Sequence, residues 1–143
     1  MKYIQLFIIS IFFWLPISSN AFPIPDDNEV SFDVVRKNKI IGNLTTKFIK
    51  DKENIILHSV LDINVKILFI PAYKFFQETK ETWRNGEFIS IDGFTDFEDD
   101  REYKIDGKDE DGVFRVTGMD GLLELDEKII PLNYWNKNIL DEK

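Results

Sequence analysis

The sequence predicts a mostly β protein, built as a single curved antiparallel sheet in the form of a meander or half-barrel. Apolar and polar residues alternate with a period of two along most of the chain after residue 29, which is typical of half-buried strands. Turn-forming residues separate these alternating segments. After the N-terminal leader, no segment sustains the 3.6-residue apolar stripe of an amphipathic helix, although residues 136–143 could form a final helical turn.

The leader occupies residues 1–21. Lys2 is followed by an apolar run from Tyr3 to Pro16 and then by small residues that end at Ala21, which are the three parts of a secretory signal peptide. The run is shorter than the ~20 apolar residues that a membrane-spanning helix needs. We therefore expect cleavage after Ala21 and an exported, periplasmic chain of residues 22–143 that does not span the membrane. An uncleaved N-terminal anchor is the alternative.

Composition limits what the mature chain can do. The absence of cysteine excludes disulfides, thiol nucleophiles, thiolate metal sites and a lipid-modified N-terminal cysteine. Residues 22–143 are enough for one domain and too few for two. The formal net charge is −8, or −9 once Lys2 leaves with the leader, which argues against binding to nucleic acid and against an electrostatic hold on anionic lipid.

The first half of the mature chain predicts a hairpin and one long strand. Val30–Val34 and Leu44–Phe48 alternate on either side of a basic reversal at 37–39, and 51–54 forms the next turn. The segment Ile55–Leu68 then carries its apolar side chains on one parity and its polar side chains on the other. At about 3.3 Å per residue such a strand reaches roughly 45 Å, and strands of this length occur where a sheet curls.

The second half predicts further short strands in meander order. Beyond Pro71, the residues Tyr73, Phe75 and Trp83 share one parity with Gln77, Thr79 and Glu81. Asn85–Gly86 then predicts a type I′ hairpin turn into a strand over residues 87–91. The remaining strands are predicted over residues 101–105, 113–117 and 122–125, with acidic or glycine-containing turns at 106–112 and 118–121.

Acidic residues and the one histidine are weak candidates for chemistry. Between Asp92 and Glu127 the chain has fourteen carboxylates and four basic residues, which suits either a calcium site or solvated turns, although the spacing does not fit an EF-hand. Asp92 and Asp96 could serve a carboxylate-based hydrolase if a cleft held them at ~5 to 9 Å. The sequence offers His58 no second histidine and no cysteine for a zinc site, and no nucleophile-elbow serine for hydrolysis. We therefore expect His58 to face solvent. No cofactor and no metal site is predicted.

Aromatic residues are the better candidates for binding. A large set of them either lines a cavity for an apolar ligand or fills the core of a curved sheet. Phe75 and Phe76 are adjacent and must point to opposite faces of a strand, so at least one aromatic ring lies away from the main core. The residues that we predict to line a ligand site are Phe69, Tyr73, Phe75, Trp83, Tyr134 and Trp135.

Several of these aromatics fall in segments with a family resemblance. The segments 67–73 and 81–86, the pairs 91–92 and 95–96, and Tyr134-Trp135-Asn136 resemble the exported bacterial proteins called domain of unknown function 6134. The resemblance covers nearly all of the mature chain and supplies no activity. It implies a location in the cell envelope and a curved antiparallel sheet similar to lipoprotein-carrier folds.

The chain departs from that family at two points. Gln77 stands where family members tend to place a histidine shortly after the Tyr73 segment, so any role of that imidazole is absent. Family members also continue with further strands after Tyr-Trp-Asn, whereas this sequence stops at Lys143, which leaves open a truncated sheet with an unpaired edge near Leu122–Leu125.

Three functions follow as hypotheses. The leading one is an exported, non-enzymatic envelope protein that binds a lipid or another apolar ligand in its curved sheet. The alternative is a structural or assembly factor that binds a protein partner through a sheet edge or the C-terminal tail. The third is the hydrolase that would use Asp92 and Asp96.

Overall fold

The protein folds as one antiparallel sheet. The computed structural model describes residues 24–98, 101–125, 129–131 and 133, and it contains eight strands that pair in sequence order. The strands are β1 (Glu29–Arg36), β2 (Lys39–Asp51), β3 (Asn54–Ile67), β4 (Ile70–Arg84), β5 (Glu87–Phe97), β6 (Arg101–Glu110), β7 (Val113–Gly118) and β8 (Gly121–Leu125). The predicted all-β class and meander order are confirmed. Among the described residues, no helix has the length and apolar character needed to cross a membrane.

The tight turns follow the local sequence closely. Lys37 and Asn38 have φ values of 48° and 59°, and Asn85 and Gly86 have φ values of 54° and 85°, which is the left-handed backbone of a type I′ hairpin. The reversals predicted at 37–39 and 85–86 are therefore confirmed. The predicted leader and the predicted helical turn at 136–143 lie outside the described residues.

The later strands are longer than the sequence predicts. The acidic stretch 106–112 was expected to be a turn, but β6 continues through it to Glu110 and leaves Asp111 and Gly112 as the turn. Asp106 pairs with both Asp92 of β5 and Thr117 of β7. Neighbours on both sides satisfy the backbone hydrogen bonds of this segment, and that outweighs the low strand propensity of Asp and Gly.

The sheet is curled. Phe32 of β1 and Ile105 of β6 line the same pocket, which has a volume of about 260 Å³. Five strand spacings separate β1 from β6, so a flat sheet would place these residues roughly 24 Å apart. The sheet therefore bends toward the face that carries both side chains, while β1 and β8 remain unpaired with each other.

Strand register assigns each side chain to one of two faces. Leu57 pairs with Phe48 and with Glu81, and Ile55 pairs with Trp83, so all five point to the side that we call the core face. Buried residues concentrate there, and Ile24 and Ile130 pack against the cluster of Phe48, Leu57 and Trp83. The outer face carries the neighbouring residues, among them His58, Glu78 and Lys80.

Glycines permit the curl on the core face. A Cβ atom built on Gly107 would lie 2.7 Å from the Phe114 ring and 3.1 Å from the Cβ atom of Val116. A Cβ on Gly93 would lie 2.7 Å from the Ile105 side chain. Because real Cβ atoms do not approach so closely, side chains from neighbouring strands can converge here only over glycine.

Gly107→Ala is therefore expected to destabilise the fold. The added methyl group would overpack the space under Phe114, at a cost of roughly 1–3 kcal/mol in the free energy of unfolding. Gly118→Ala is the matched control, because a Cβ there meets nothing within 4 Å. Urea unfolding of both variants measures the difference, and equal stabilities would contradict the role assigned to Gly107.

Candidate ligand-binding site

The core face has two aromatic ends. At one end, the rings of Trp83 and Phe88 lie 5.1 Å apart, and Phe88 stacks on Phe114 at 5.0 Å. At the other end, Phe75 meets Phe97 edge-on at 5.0 Å, and Phe97 meets Tyr103 at 5.6 Å. The two clusters lie on the same face, and β4 contributes a ring to each of them.

A polar band crosses the core face between these ends. Thr46 and Ser59 share a hydrogen bond of 2.8 Å between their hydroxyl oxygens. The Gln77 amide donates to the Thr95 hydroxyl at 3.2 Å. These side chains belong to four neighbouring strands, so the band runs across the sheet.

The pocket of about 260 Å³ lies on this band. Its lining residues are Phe32, Leu44, Thr46, Ser59, Leu61, Gln77, Thr79, Glu81, Ile91, Ile105, Pro131 and Asn133. A second pocket of about 300 Å³ shares Gln77, Thr79 and Ile105 with it and has Met119 of the β7–β8 turn in its wall. Together they form one groove, mostly apolar with several hydrogen-bonding groups, which is the usual composition of a small-molecule site.

Glu81 is the most unusual residue of the groove. Its side chain is 5 % exposed, and carboxylates are seldom buried to this extent. The Trp83 indole N–H donates to its Oε2 atom at 2.9 Å, and the Asn133 amide donates to the same atom at 3.4 Å. Burial raises the pKa of Glu81 above its usual range, and the two hydrogen bonds oppose this shift without cancelling it.

The predicted ligand-lining residues are not brought together. Trp83 is buried in the core at one end, whereas Tyr73 lies ten residues away along β4, roughly 33 Å for an extended strand. Phe75 belongs to the aromatic cluster at the far end, and Phe69 is exposed in the β3–β4 turn. Tyr134 and Trp135 lie outside the described residues. The role of all six residues in ligand binding stays a prediction. None of the four described ones, Phe69, Tyr73, Phe75 and Trp83, lines the 260 Å³ pocket.

Sequence reasoning passed over the residues that do line the groove. Gln77, Thr79 and Glu81 share the parity of Tyr73, Phe75 and Trp83, so three polar residues fall on an otherwise apolar strand face. A buried polar group needs a hydrogen-bonding partner or a ligand. This interruption of the apolar pattern indicates a polar site on the strand face. The prediction from the sequence instead favoured the larger aromatic residues.

The other candidates for chemistry lie on the outer face. Asp92 pairs with Lys80, and Asp96 pairs with Phe76. Four residues of extended strand separate the two aspartates, roughly 13 Å, which exceeds the separation that glycoside hydrolysis uses. His58 is half-buried and within hydrogen-bond distance of Glu78. Within the described parts of the chain, no group of three or more metal-binding side chains comes together.

The fold and groove define a class: an all-β protein whose single open, curled antiparallel sheet holds a pocket on its inner side. The chain belongs to the family described as domain of unknown function (DUF6134), whose model matches residues 32–143. No curated protein and no solved structure matches the chain.

Glu81→Gln is expected to flatten the dependence of stability on pH. Because the folded-state pKa of Glu81 is raised, its contribution favours folding at low pH and is lost as pH rises through that pKa. The stability of the variant relative to the parent should therefore increase from pH 4 to pH 7. Urea unfolding at intervals of one pH unit measures this. Glu87→Gln, at an exposed position of β5, is the control, and parallel pH profiles for parent and Glu81→Gln would contradict the buried carboxyl.

Proposed function

We propose that this is a non-enzymatic protein of the cell envelope that binds an amphipathic, mainly apolar ligand in the groove of its core face. The observation that carries the proposal is the polar band across an otherwise apolar curled face, with the Glu81 carboxyl buried at the pocket. An ordinary core would place apolar side chains here. A ligand with an apolar chain and a hydrogen-bonding head matches both parts of the lining.

The chemistry of the pocket favours a neutral polar head group. The Glu81 carboxyl, the Gln77 amide and the hydroxyls of Ser59 and Thr46 supply both donors and acceptors. An anionic head would be desolvated beside the Glu81 carboxyl, whose ionised form burial already disfavours, and it would disfavour that form further. A fatty alcohol, ester or amide should therefore bind more tightly than the corresponding fatty-acid anion.

Location in the envelope is part of the proposal. The leader of residues 1–21 has the parts of a signal peptide, and the absence of cysteine removes any dependence on a particular redox compartment. The leader ends before the matched family region begins at residue 32. A ligand groove formed by the sheet together with Pro131 and Asn133 is compatible with a chain that folds after export.

Thr79→Phe is expected to abolish ligand binding without unfolding the sheet. Thr79 lines both parts of the groove, and a phenyl ring there would occupy much of the available volume. Thr117→Phe makes the same substitution at an exposed outer-face position of β7. Native mass spectrometry of protein recovered from the periplasm without detergent should find apolar ligand mass on the parent and on Thr117→Phe, and none on Thr79→Phe. The same spectra should give a chain that begins at Phe22.

Binding of fluorescent lipid probes completes this test. A probe with a neutral head should bind to the parent at least tenfold more tightly than its carboxylate analogue at pH 7, and Glu81→Gln should narrow that difference. No bound mass and no probe binding to the parent would refute the carrier function.

A second function, in assembly with a protein partner, is supported by β8. This strand is the last of the described sheet, and all five of its residues are exposed, including Leu122, Leu123 and Leu125. An edge strand that pairs with only one neighbour among the described residues can accept a strand from another protein. Its outer face is tied to the sheet by Arg115, which pairs with Glu124 at 2.9 Å and with Glu110 at 3.0 Å.

Leu122→Lys with Leu125→Lys is expected to remove partners that add a strand to β8, because charge blocks strand addition. Tagged parent and variant recovered from envelope extracts would be compared for bound proteins of defined stoichiometry. Identical complexes in both preparations would exclude β8 as the interface, and intact probe binding by the variant would show that its groove still forms.

A further inference from the structure

The β3–β4 hairpin continues beyond the points at which its neighbours pair with it. β2 pairs with β3 as far as Ile63, and β5 pairs with β4 as far as Phe75. Residues of the segment 64–74 then pair with one another across the hairpin. Four residues of strand separate Ile63 from Ile67, so the tip lies about 13 Å beyond the last pair with β2. The β1–β2 hairpin continues in the same direction but pairs only within itself there.

The tip of this hairpin is apolar and exposed. Its four consecutive residues Ile67, Leu68, Phe69 and Ile70 are 63 %, 86 %, 96 % and 68 % exposed. No other hairpin turn in the described sheet presents a run of this kind. Contiguous exposed apolar surface marks a site that contacts a membrane or another protein.

The residues at the tip are poorly suited to the backbone conformation of the turn. Leu68 and Phe69 have φ values of 49° and 68°, in the left-handed region that favours Gly and Asn. The corresponding positions of the β4–β5 turn are Asn85 and Gly86. Large apolar residues at the tip therefore reduce folding stability, so the stability of the hairpin does not explain their presence.

The charge of the hairpin end itself is opposite to that of the whole chain, and at its base Glu98 and Arg101 line a pocket with Tyr73. Residues 64–74 contain Lys66 and Lys74 and no carboxylate, although the whole chain has a net charge of −8. Both lysines are exposed. Lys66 lies one residue pair behind the pair of Ile67 and Ile70, and Lys74 lies three pairs behind it. Lysines and an aromatic residue such as Tyr73 in this position are suited to the headgroup level of a bilayer.

We propose that the β3–β4 tip, residues 67–70, inserts into an anionic lipid surface. A hairpin tip with four exposed apolar residues matches the depth of the bilayer interface, which interfacial segments enter by about 5–10 Å. The lysines then meet lipid phosphates while the acidic remainder of the protein stays in water. The charge complementarity is local, and for this reason the net charge of the whole chain does not exclude it. This inference is independent of the groove.

Vesicle flotation with Leu68→Asn/Phe69→Gly tests the insertion. The Asn-Gly pair suits the observed turn backbone, so the double variant should fold at least as stably as the parent. The parent, recovered after export without detergent, should float with vesicles of phosphatidylglycerol and phosphatidylcholine, and less with phosphatidylcholine alone. The double variant should lose at least tenfold in bound fraction while its midpoint of urea unfolding is no lower than that of the parent.

A label at the tip reports insertion directly. The chain has no cysteine, so Phe69→Cys can carry the environment-sensitive dye NBD at a single site, and Glu53→Cys, in the exposed β2–β3 turn at the opposite end of β3, is the control. The emission at position 69 should shift to the blue on addition of vesicles, and that at 53 should not. Three results would each overturn the proposal. The first is equal flotation of parent and double variant, and the second is no emission shift at position 69. The third is a parent that forms a dimer in solution and does not bind vesicles, together with a double variant that is monomeric.

Discussion

The structure depends on one constraint: among the described residues no helix or second sheet covers the apolar face of the single sheet, so this face is buried mainly against itself, with short segments at Ile24 and Ile130 packed on it. The sheet buries this face by curling until side chains from distant strands meet, as Phe88 of β5 and Phe114 of β7 do across Gly107 of β6. Glycine at that point lets the aromatic ring take the place of the missing side chain. Most of the buried side chains, from Phe48 to Val116, lie on this one face.

Curling also explains why a groove exists. The aromatic clusters at the two ends of the face fill the space there, but the middle of the face carries shorter polar side chains that do not reach across it. A buried carboxyl such as Glu81 is costly in an unoccupied core, and its hydrogen bonds from Trp83 and Asn133 offset part of that cost. Under the proposed function, the same desolvation that raises its pKa would disfavour an anionic group bound beside it.

The length of β3 and β4 separates two surfaces of different character. One end of these strands is anchored in the core by Leu57 and Trp83, and the other end carries the unsupported tip at Leu68 and Phe69. Antiparallel pairing continues along the whole hairpin from the groove to the tip, with one register shift between Val65 and Lys66. The two proposed sites, one for an amphipathic molecule and one for a lipid surface, therefore lie on the same hairpin.

The sequence by itself determined the fold class, the meander order, the turns at 37–39, 51–54 and 85–86 and the parity of the long strand, because period-two patterning and turn chemistry are local properties. It also indicated the family. It did not predict the turn at Leu68 and Phe69. Only the tertiary structure decided that β6 runs through an acidic stretch, that Trp83 and Tyr73 lie at opposite ends of the sheet, and that Glu81 is buried at a pocket with Thr79 beside it. These features depend on which strands pair and how sharply the sheet curls. Both are set by contacts between residues far apart in the chain, which a local pattern does not encode.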